Sequence, residues 1–364
     1  MTTEQGRPDP AVEIRMTTLH STRGPNFWST RSITRMDIAV GAYDDISSAD
    51  VKGFTEQLME AMPGLIEHRC SIGERGGFLM RLRDGTYAAH IIEHVALELQ
   101  TMMGHDVGYG RTRGGDIPGE YTLIFEHMHE AVGLRAAALS LDIVQQAFAG
   151  TLTPAIVEHA VAELSSLAQK PDVPLLHQRV LCGITGGSDR AATRDEIVRR
   201  GFGTDDLIID IAPAFLLTAG LPYSRSDIAI ITDTTLTDVP ERYQEAERAQ
   251  RLMATVADAV DRGGIVIVPA KEWEIQDKVR DAGCRVAIFA TDHNVTRRDR
   301  KLARAVALVV NDRIMIDWRG ERSDHGPVRD DAPITAQVAG ALAAFTLNEL
   351  QPLQAAGSTA GSRG

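Results

Sequence analysis

Two domains of different fold class are predicted. Residues 13–168 form an α+β domain that carries an HxxEH helix, and residues 175–350 form an α/β domain built on an open parallel sheet. Three observations predict them. The chain has 364 residues, about twice the length of an ordinary domain. The segment QKPDVP, 169–174, is polar and proline-rich and reads as a linker. Before it, strands and helices mix without alternation; after it, short apolar runs alternate with amphipathic helices.

In the first domain, Glu13–His20 and Arg35–Val40 alternate apolar and polar residues, as half-buried strands do. Ala49–Met62 has helical spacing and stops at Pro63-Gly64. Gly77–Leu82 reads as a strand. Thr86 is placed to cap a helix that runs to about Met103 and is ended by Gly104. Tyr121–Met128 reads as a strand, and helices follow over about 130–148 and 153–168. The second domain offers strands at Val180–Ile184, Leu207–Ile211, Ile228–Thr232, Ile265–Val268 and Arg285–Phe289. It also offers a helix over Glu241–Asp261, a hairpin at Asn311-Asp312 and a last helix, Ala336–Leu350. The tail, 351–364, is small and polar and is expected to be disordered.

Hydrophobic residues make up 43% of the chain and charged residues 24%. That balance excludes a disordered chain, a collagen-like fibre and a coiled-coil rod. No apolar run approaches the roughly 18 residues that cross a bilayer, and MTTEQGRPDPAVEIRM has no apolar signal core, so a cytoplasmic location is expected. A net charge of -12 argues against nucleic acid and anionic membrane as partners and is compatible with a cationic substrate. A homo-oligomer is compatible with the sequence. Cys70, Cys182 and Cys284 are odd in number and far apart, so they make no disulfide framework and no CxxC metal knuckle.

The most specific motif is His90-Ile91-Ile92-Glu93-His94, inside the helical stretch GTYAAHIIEHVALELQTMMG. Residues four apart share a helix face, so both histidines can point at one metal ion. Neutral imidazole is a good zinc ligand, and Glu93 is placed to act on a water beside the metal. The apolar flanks predict a mostly buried helix, and a buried helix must satisfy His90, Glu93, His94 and Glu98 internally. The competing reading is a purely hydrogen-bonded role for these groups. Zn2+, or another divalent ion, is the expected cofactor.

A third ligand is required. Glu130 and Glu126, in IFEHMHEAVG, are the leading candidates. Glu98, one turn beyond His94, and His68, in the loop HRCSIGERGG, rank below them. His127 and His129 are expected at the surface. Arg75, Arg81 and Arg83 in one flanking loop, and Arg111 and Arg113 in another, are candidates for clamping substrate carboxylates. The strand Val180–Ile184 runs into TGGSDRAA, where a phosphate-binding loop would sit. Asp189 and Arg190 stand where a Gly-Lys pair is needed, and Ala191 where a hydroxyl is needed, so no ATP is expected there.

The first domain resembles the N-terminal domain of cyanophycin synthetase. The stretches that carry the resemblance are STRGPNFWS (21–29), PGLIEHRCSIGERGGFLMRLRDGTYAAHIIEHVALELQ (63–100), VGYGRTR (107–113) and PGEYTLIFEHMHEAVGLRAA (118–137). The resemblance implies a metal-dependent hydrolytic site that cuts a polymer of β-Asp-Arg units, with His90, Glu93 and His94 in the roles derived above. The inverted motif is also similar to that of insulinase-type peptidases and of S-ribosylhomocysteinase, which draw a further ligand from a distant segment. The second domain resembles the Mur-ligase-like domain of the same synthetase through SDIAIITDTTLTD (226–238) and PITAQVAGALAAF (333–345). It departs from that pattern in lacking the Gly-Lys-Thr of the ATP loop and any lysine in 241–261, and an intervening ATP-grasp domain is absent between the two segments.

The leading expectation is therefore a zinc-dependent hydrolase of a peptide or amide bond, acting on a peptide-like, Arg/Asp-containing substrate. The competing expectations are a non-catalytic protein that binds a peptide or a partner, and an ATP-dependent amide ligase.

Overall fold

The computed structural model describes residues 6–202, 207–293 and 295–360, with side chains described to residue 350. The chain divides into two compact units. The first comprises Met1–Arg23 and Arg31–Pro174, and the second Gly24–Thr30 and Leu175–Gly364. The segment 24–30 thus belongs to the second unit, although it lies well inside the predicted first domain.

The first unit is α+β. A short helix, α1 (Pro10–Glu13), leads into a four-stranded sheet of order β1-β2-β4-β3, with β1 Arg15–Thr22, β2 Ile33–Ala39, β3 Gly110–Gly114 and β4 Glu120–Glu126. Every pairing in it is antiparallel. Between β2 and β3 lie α2 (Phe54–Ala61), α3 (Gly77–Asp84) and α4 (Ala88–Met102); α5 (Glu130–Ala149) and α6 (Pro154–Ala168) follow β4. The core joins Met36, Ile38, Leu123 and Phe125 of the sheet to Ile91, Ile92, Val95 and Leu99 of α4 and to Ile143, Val144 and Phe148 of α5.

Three expectations fail here for physical reasons. Gly77–Leu82 is not a strand. Phe78 and Leu82 are four apart and both fully buried, so one face of α3 packs inward while Met80 and Arg81 face solvent. The segment containing Arg111 and Arg113 is not a loop. Its glycines and arginines hide β3, which pairs with β4 through Gly110↔Phe125 and Thr112↔Leu123. His127 and His129 are also buried rather than exposed: Thr34 Oγ1 lies 3.0 Å from His127 Nδ1, and the Lys170 carbonyl lies 2.9 Å from His129 Nε2.

The second unit is α/β. Its eight-stranded sheet has the order β12-β11-β10-β9-β8-β7-β5-β6. The strands β5 (His177–Thr185), β6 (Ile208–Asp210), β7 (Tyr223–Ile231), β8 (Val260–Pro269), β9 (Arg285–Phe289) and β10 (Ala305–Val310) are parallel. β11 (Arg313–Trp318) and β12 (Glu321–Pro327) add an antiparallel edge. The turn between β10 and β11 holds Asn311 and Asp312 at φ +50° and +57°, the left-handed pair that a tight hairpin requires.

Helices cover both faces of this sheet. One apolar cluster joins Ile184, Ile230, Ile267 and Ala287 to Ile197 of α7 (Arg190–Arg199) and to Val338 and Leu342 of α12 (Ile334–Ala360). The other joins Ala229, Val266 and Ile288 to helices α8 (Pro213–Ala219), α9 (Ala246–Ala254) and α10 (Trp273–Asp281). A further helix, α11 (Arg297–Leu302), precedes β10. The long helix expected over 241–261 is shortened to α9, a 3-10 turn at Thr255–Ala259, and β8 from Val260. Val256, Ala257, Ala259 and Val260 are all buried around an exposed Asp258, so the buried apolar residues run together here and do not report a helical period. At the C-terminus α12 continues to Ala360, into the tail expected to be disordered; extending a formed helix needs no new nucleus. Residues 361–364 lie outside the described residues.

One buried charge organises the α7–α12 face. Glu196 is 2% exposed and accepts hydrogen bonds from Arg199 at 2.7 Å, Arg200 at 2.7 Å and Arg329 at 2.8 Å. Burial alone would raise its pKa, but the hydrogen bonds from Arg199, Arg329 and Arg200 outweigh burial and hold it at about 2. Its folded-state value is depressed, so the stabilisation is complete above the ordinary glutamate range and is lost as pH falls toward 2. Urea unfolding of a Glu196→Ala variant at neutral pH should show a loss of about 3 kcal/mol, because three arginines are left facing one another. The loss should shrink on acidification below about pH 4, as the wild-type interaction titrates away.

Candidate metal centre

The candidate centre is built on α4. Ala88, Ala89, Ile91, Ile92, Val95, Ala96 and Leu99 are buried, as the sequence predicts, and the same helix buries Glu93, His94, Glu98 and Gln100. Thr86 is not the N-cap, a position held by Tyr87. Thr86 Oγ1 instead lies 2.8 Å from His90 Nδ1. That contact turns the other ring nitrogen, Nε2, toward Cys70 Sγ at 3.3 Å.

The ligand atoms of Cys70, His90 and His94 all lie within 4.8 Å of one another. Among the described residues they form the group suited to a metal ion. Cys70 is the member that sequence reasoning missed. It sits in a short 3-10 turn, Cys70–Ile72, at φ +52°, in the same Gly-rich loop as His68. Its signal was position beside a candidate ligand, not cysteine spacing. The favoured carboxylates are engaged elsewhere. Glu130 begins α5 and pairs with Arg23 at 2.6 Å. Glu126 ends β4 and lies 3.6 Å from Arg31.

His68 and Glu98 stand behind the centre. His68 Nδ1 lies 2.8 Å from His94 Nδ1, and His68 Nε2 lies 3.0 Å from Glu98 Oε2. If His68 donates from Nε2 to the Glu98 carboxylate, its neutral ring accepts at Nδ1 and His94 donates from Nδ1. His94 Nε2 is then the free lone pair for a metal. The chain from carboxylate to histidine to His94 orients the His94 ring and fixes its tautomer, as the supporting groups of metal-binding histidines do. Phe78 stacks on the His94 ring at 3.9 Å and 19°. Close packing leaves no room for side chains at two glycines: a Cβ on Gly64 would meet Glu98 Oε1 at 1.9 Å, and one on Gly110 would meet Glu93 Oε1 at 2.7 Å.

Burial sets the protonation of these groups. It lowers His90 to about 4, with Arg81 adding to the effect, and His94 to about 2, with His90 and His68 adding. Both imidazoles are therefore neutral at physiological pH, the form that binds a metal. Burial raises Glu93 to about 7, against a 2.5 Å hydrogen bond from Thr112 Oγ1 of β3 and the nearby His68. A cation bound beside Glu93 would draw its pKa down again. Two neutral imidazoles and a thiol fit a zinc-type ion, and the donor set leaves a fourth position for water or substrate.

The centre opens into a cavity of about 980 Å³. Of the five arginines singled out in the sequence, Arg81 and Arg111 line this cavity. Arg81 donates to Ser71 Oγ at 3.1 Å. Arg75 pairs with Glu67 at 2.6 Å on the surface, Arg83 is exposed on α3, and Arg113 follows Thr112 on β3 outside the lining.

In the second unit, the loop after β5 holds its own carboxylate. Asp233 accepts from the backbone N–H of Gly187 at 3.1 Å, of Ser188 at 2.8 Å and of Thr235 at 3.0 Å, and from Ser188 Oγ at 2.8 Å. Arg190 donates to the Gly186 carbonyl.

Residues 35–149 match the family model of the cyanophycin synthase-like N-terminal domain, a span that contains Cys70, His90, Glu93 and His94. The cyanophycin synthetase of Trichormus variabilis is 32% identical over 259 residues, covering 70% of this chain and 27% of that protein. The alignment is longer than the first unit and so reaches into the second. The cyanophycin synthetase of Synechocystis sp. is 46% identical over 128 residues, covering 33% of this chain and 14% of that protein. Among solved structures, MurF ligase from Thermotoga maritima in complex with ADP aligns with a TM-score of 0.32 and 10% identity, over 56% of this chain and 51% of that one. A murein peptide ligase from Psychrobacter arcticus aligns with a TM-score of 0.33 and 11% identity, over 47% and 44%. The chain is thus cyanophycin synthetase-like, and these curated relatives bear the name of a synthetase. It spans about a quarter of the length of the first of these curated relatives.

The ligand assignment has a spectroscopic consequence. Protein loaded with Co2+ should show a thiolate-to-metal charge-transfer band that Cys70→Ser abolishes and that Glu126→Gln and Glu130→Gln leave in place. Chelator competition should show His68→Phe and Glu98→Leu weakening metal affinity by about 10- to 100-fold.

Proposed function

We propose that the first unit is a metal-dependent hydrolase of a peptide or amide bond. The observation that supports it best is the placement of Glu93 on the same buried helix as two ligand histidines, facing a large cavity, with Cys70 completing the donor set. Cys70, His90 and His94 would hold the ion. A bound divalent cation such as Zn2+ supplies acidification of water and polarisation of a carbonyl. Glu93 takes a proton from water and returns it to the leaving amine nitrogen. Its Oε2 is fixed by Thr112, which leaves Oε1 to carry the proton. His68 and Glu98 keep His94 in one orientation.

The cavity presents both signs of charge, with Arg81 and Arg111 beside Glu67 and Glu98. A peptide bearing guanidinium and carboxylate groups suits that lining, and the relatives named for cyanophycin point to a β-aspartyl-arginine or related bond. Among the described residues no helix is long and apolar enough to cross a membrane. ATP-dependent amide ligation is a second reading, favoured by the relatives' names. Engagement of the Gly187 and Ser188 donors by Asp233 counts against nucleotide binding at that loop.

Peptide hydrolysis by the metal-loaded protein tests the reading. Glu93→Gln should lower kcat by about 10²- to 10⁴-fold while metal content stays at the wild-type level. Activity retained in Glu93→Gln would overturn the assignment. A thermal shift with Mg-ATP, together with amide formation, would replace it with ligation.

A further inference from the structure

The second unit carries a pocket that neither the metal centre nor the loop after β5 explains. It lies where β10 begins. The loop follows the other end of the parallel strands, so the two stand at opposite ends of the sheet. Its volume is about 540 Å³, and its walls include Arg300, Arg304, Arg319 and Arg322, with Asp317 as the facing carboxylate. Four guanidinium groups against one carboxylate make a strongly positive cavity in a chain of net charge -12.

The partners of these groups divide into two pairs. Asp317 is held by Arg300 at 3.0 Å and by Arg322 at 2.5 and 2.8 Å. Arg304 and Arg319 have no carboxylate partner among the described residues. Both guanidiniums lie over the ring of Trp318, at 5.1 and 5.5 Å from its centroid. Trp318 is 8% exposed and its indole N–H has no hydrogen-bond partner among the described residues. The one ring thus gathers both planar groups at the pocket wall.

We propose that this pocket binds a small molecule bearing an oligophosphate chain, with Arg304 and Arg319 as its principal contacts. One carboxylate already satisfies Arg300 and Arg322 in part, as the Asp317 contacts show. The positive charge left over calls for a compact ligand with several negative charges. Successive phosphoryl groups supply these within one short chain, and each is suited to a guanidinium fork. The volume suits a di- or triphosphate and falls in the range of small-molecule sites.

Calorimetric titration of the full chain with inorganic tripolyphosphate, in the presence of a metal chelator, tests the proposal. Saturable binding is expected, weakened about tenfold or more in Arg304→Gln/Arg319→Gly and further weakened by salt. Arg319 lies at φ +54°, so glycine there removes the charge without straining the backbone. The single Arg319→Gly variant, with wild-type thermal stability, serves if the double variant unfolds. Repeating the titration with ATP separates a free oligophosphate from a nucleotide: equal affinity assigns recognition to the phosphate chain alone, and tighter binding, still lost in the variant, adds the nucleoside. Either result supports the site. No binding at millimolar tripolyphosphate would overturn it, as would binding unchanged in the variant or an acidic peptide binding as tightly.

Discussion

The first unit depends on one constraint: a helix buried on nearly all sides carries four polar side chains that must be satisfied inside the protein. An isolated carboxylate or imidazole in such a place is costly, so each finds a partner on a neighbouring element. Glu93 takes a hydrogen bond from β3, His94 and Glu98 share His68, and Gln100 donates to the carbonyls of Ala96 and Glu126. These contacts draw the loop of His68 and Cys70 down onto α4 and bring β3 across it. The glycines at 64 and 110 are there because carboxylate oxygens fill the space a side chain would need.

The same burial that demands partners also prepares the groups for chemistry. It strips protons from His90 and His94 and leaves Glu93 poised near neutrality. A water-filled site with the same residues would have protonated histidines in mild acid and a fully ionised glutamate, and would hold a metal less well. Stability and reactivity are therefore two readings of one arrangement. In the second unit, two carboxylates have several donors each. Glu196 is surrounded by arginines and Asp233 by backbone donors, and both then act as structural groups.

Much of this was legible in the sequence. The apolar period around His90-Ile-Ile-Glu-His predicts a buried helix, because 3.6-residue periodicity is a local property. The alternation of short apolar runs and helices after residue 175 predicts the parallel sheet, and Asn311-Asp312 predicts the hairpin, because left-handed turns need particular side chains. Legibility failed where local pattern and tertiary use part company. GFLMRLRD has a strand-like look but packs Phe78 and Leu82 on one helical face. GRTRG has no alternation yet forms an edge strand, because β4 supplies the pairing partner.

The sequence by itself determined the helix, the identity of His90, Glu93 and His94 as a set on that helix, and the α/β class of the second unit. Spacing along one element is enough to decide these. Only the tertiary structure brings Cys70 beside them, pairs Glu130 with Arg23 and Glu126 with Arg31, and sets His68 between His94 and Glu98. It alone decided that Arg304 and Arg319 share one pocket while Arg75 and Arg83 stay on the surface. These outcomes turn on how loops and strands distant in sequence converge on a common point, and no periodicity within a single segment encodes that convergence.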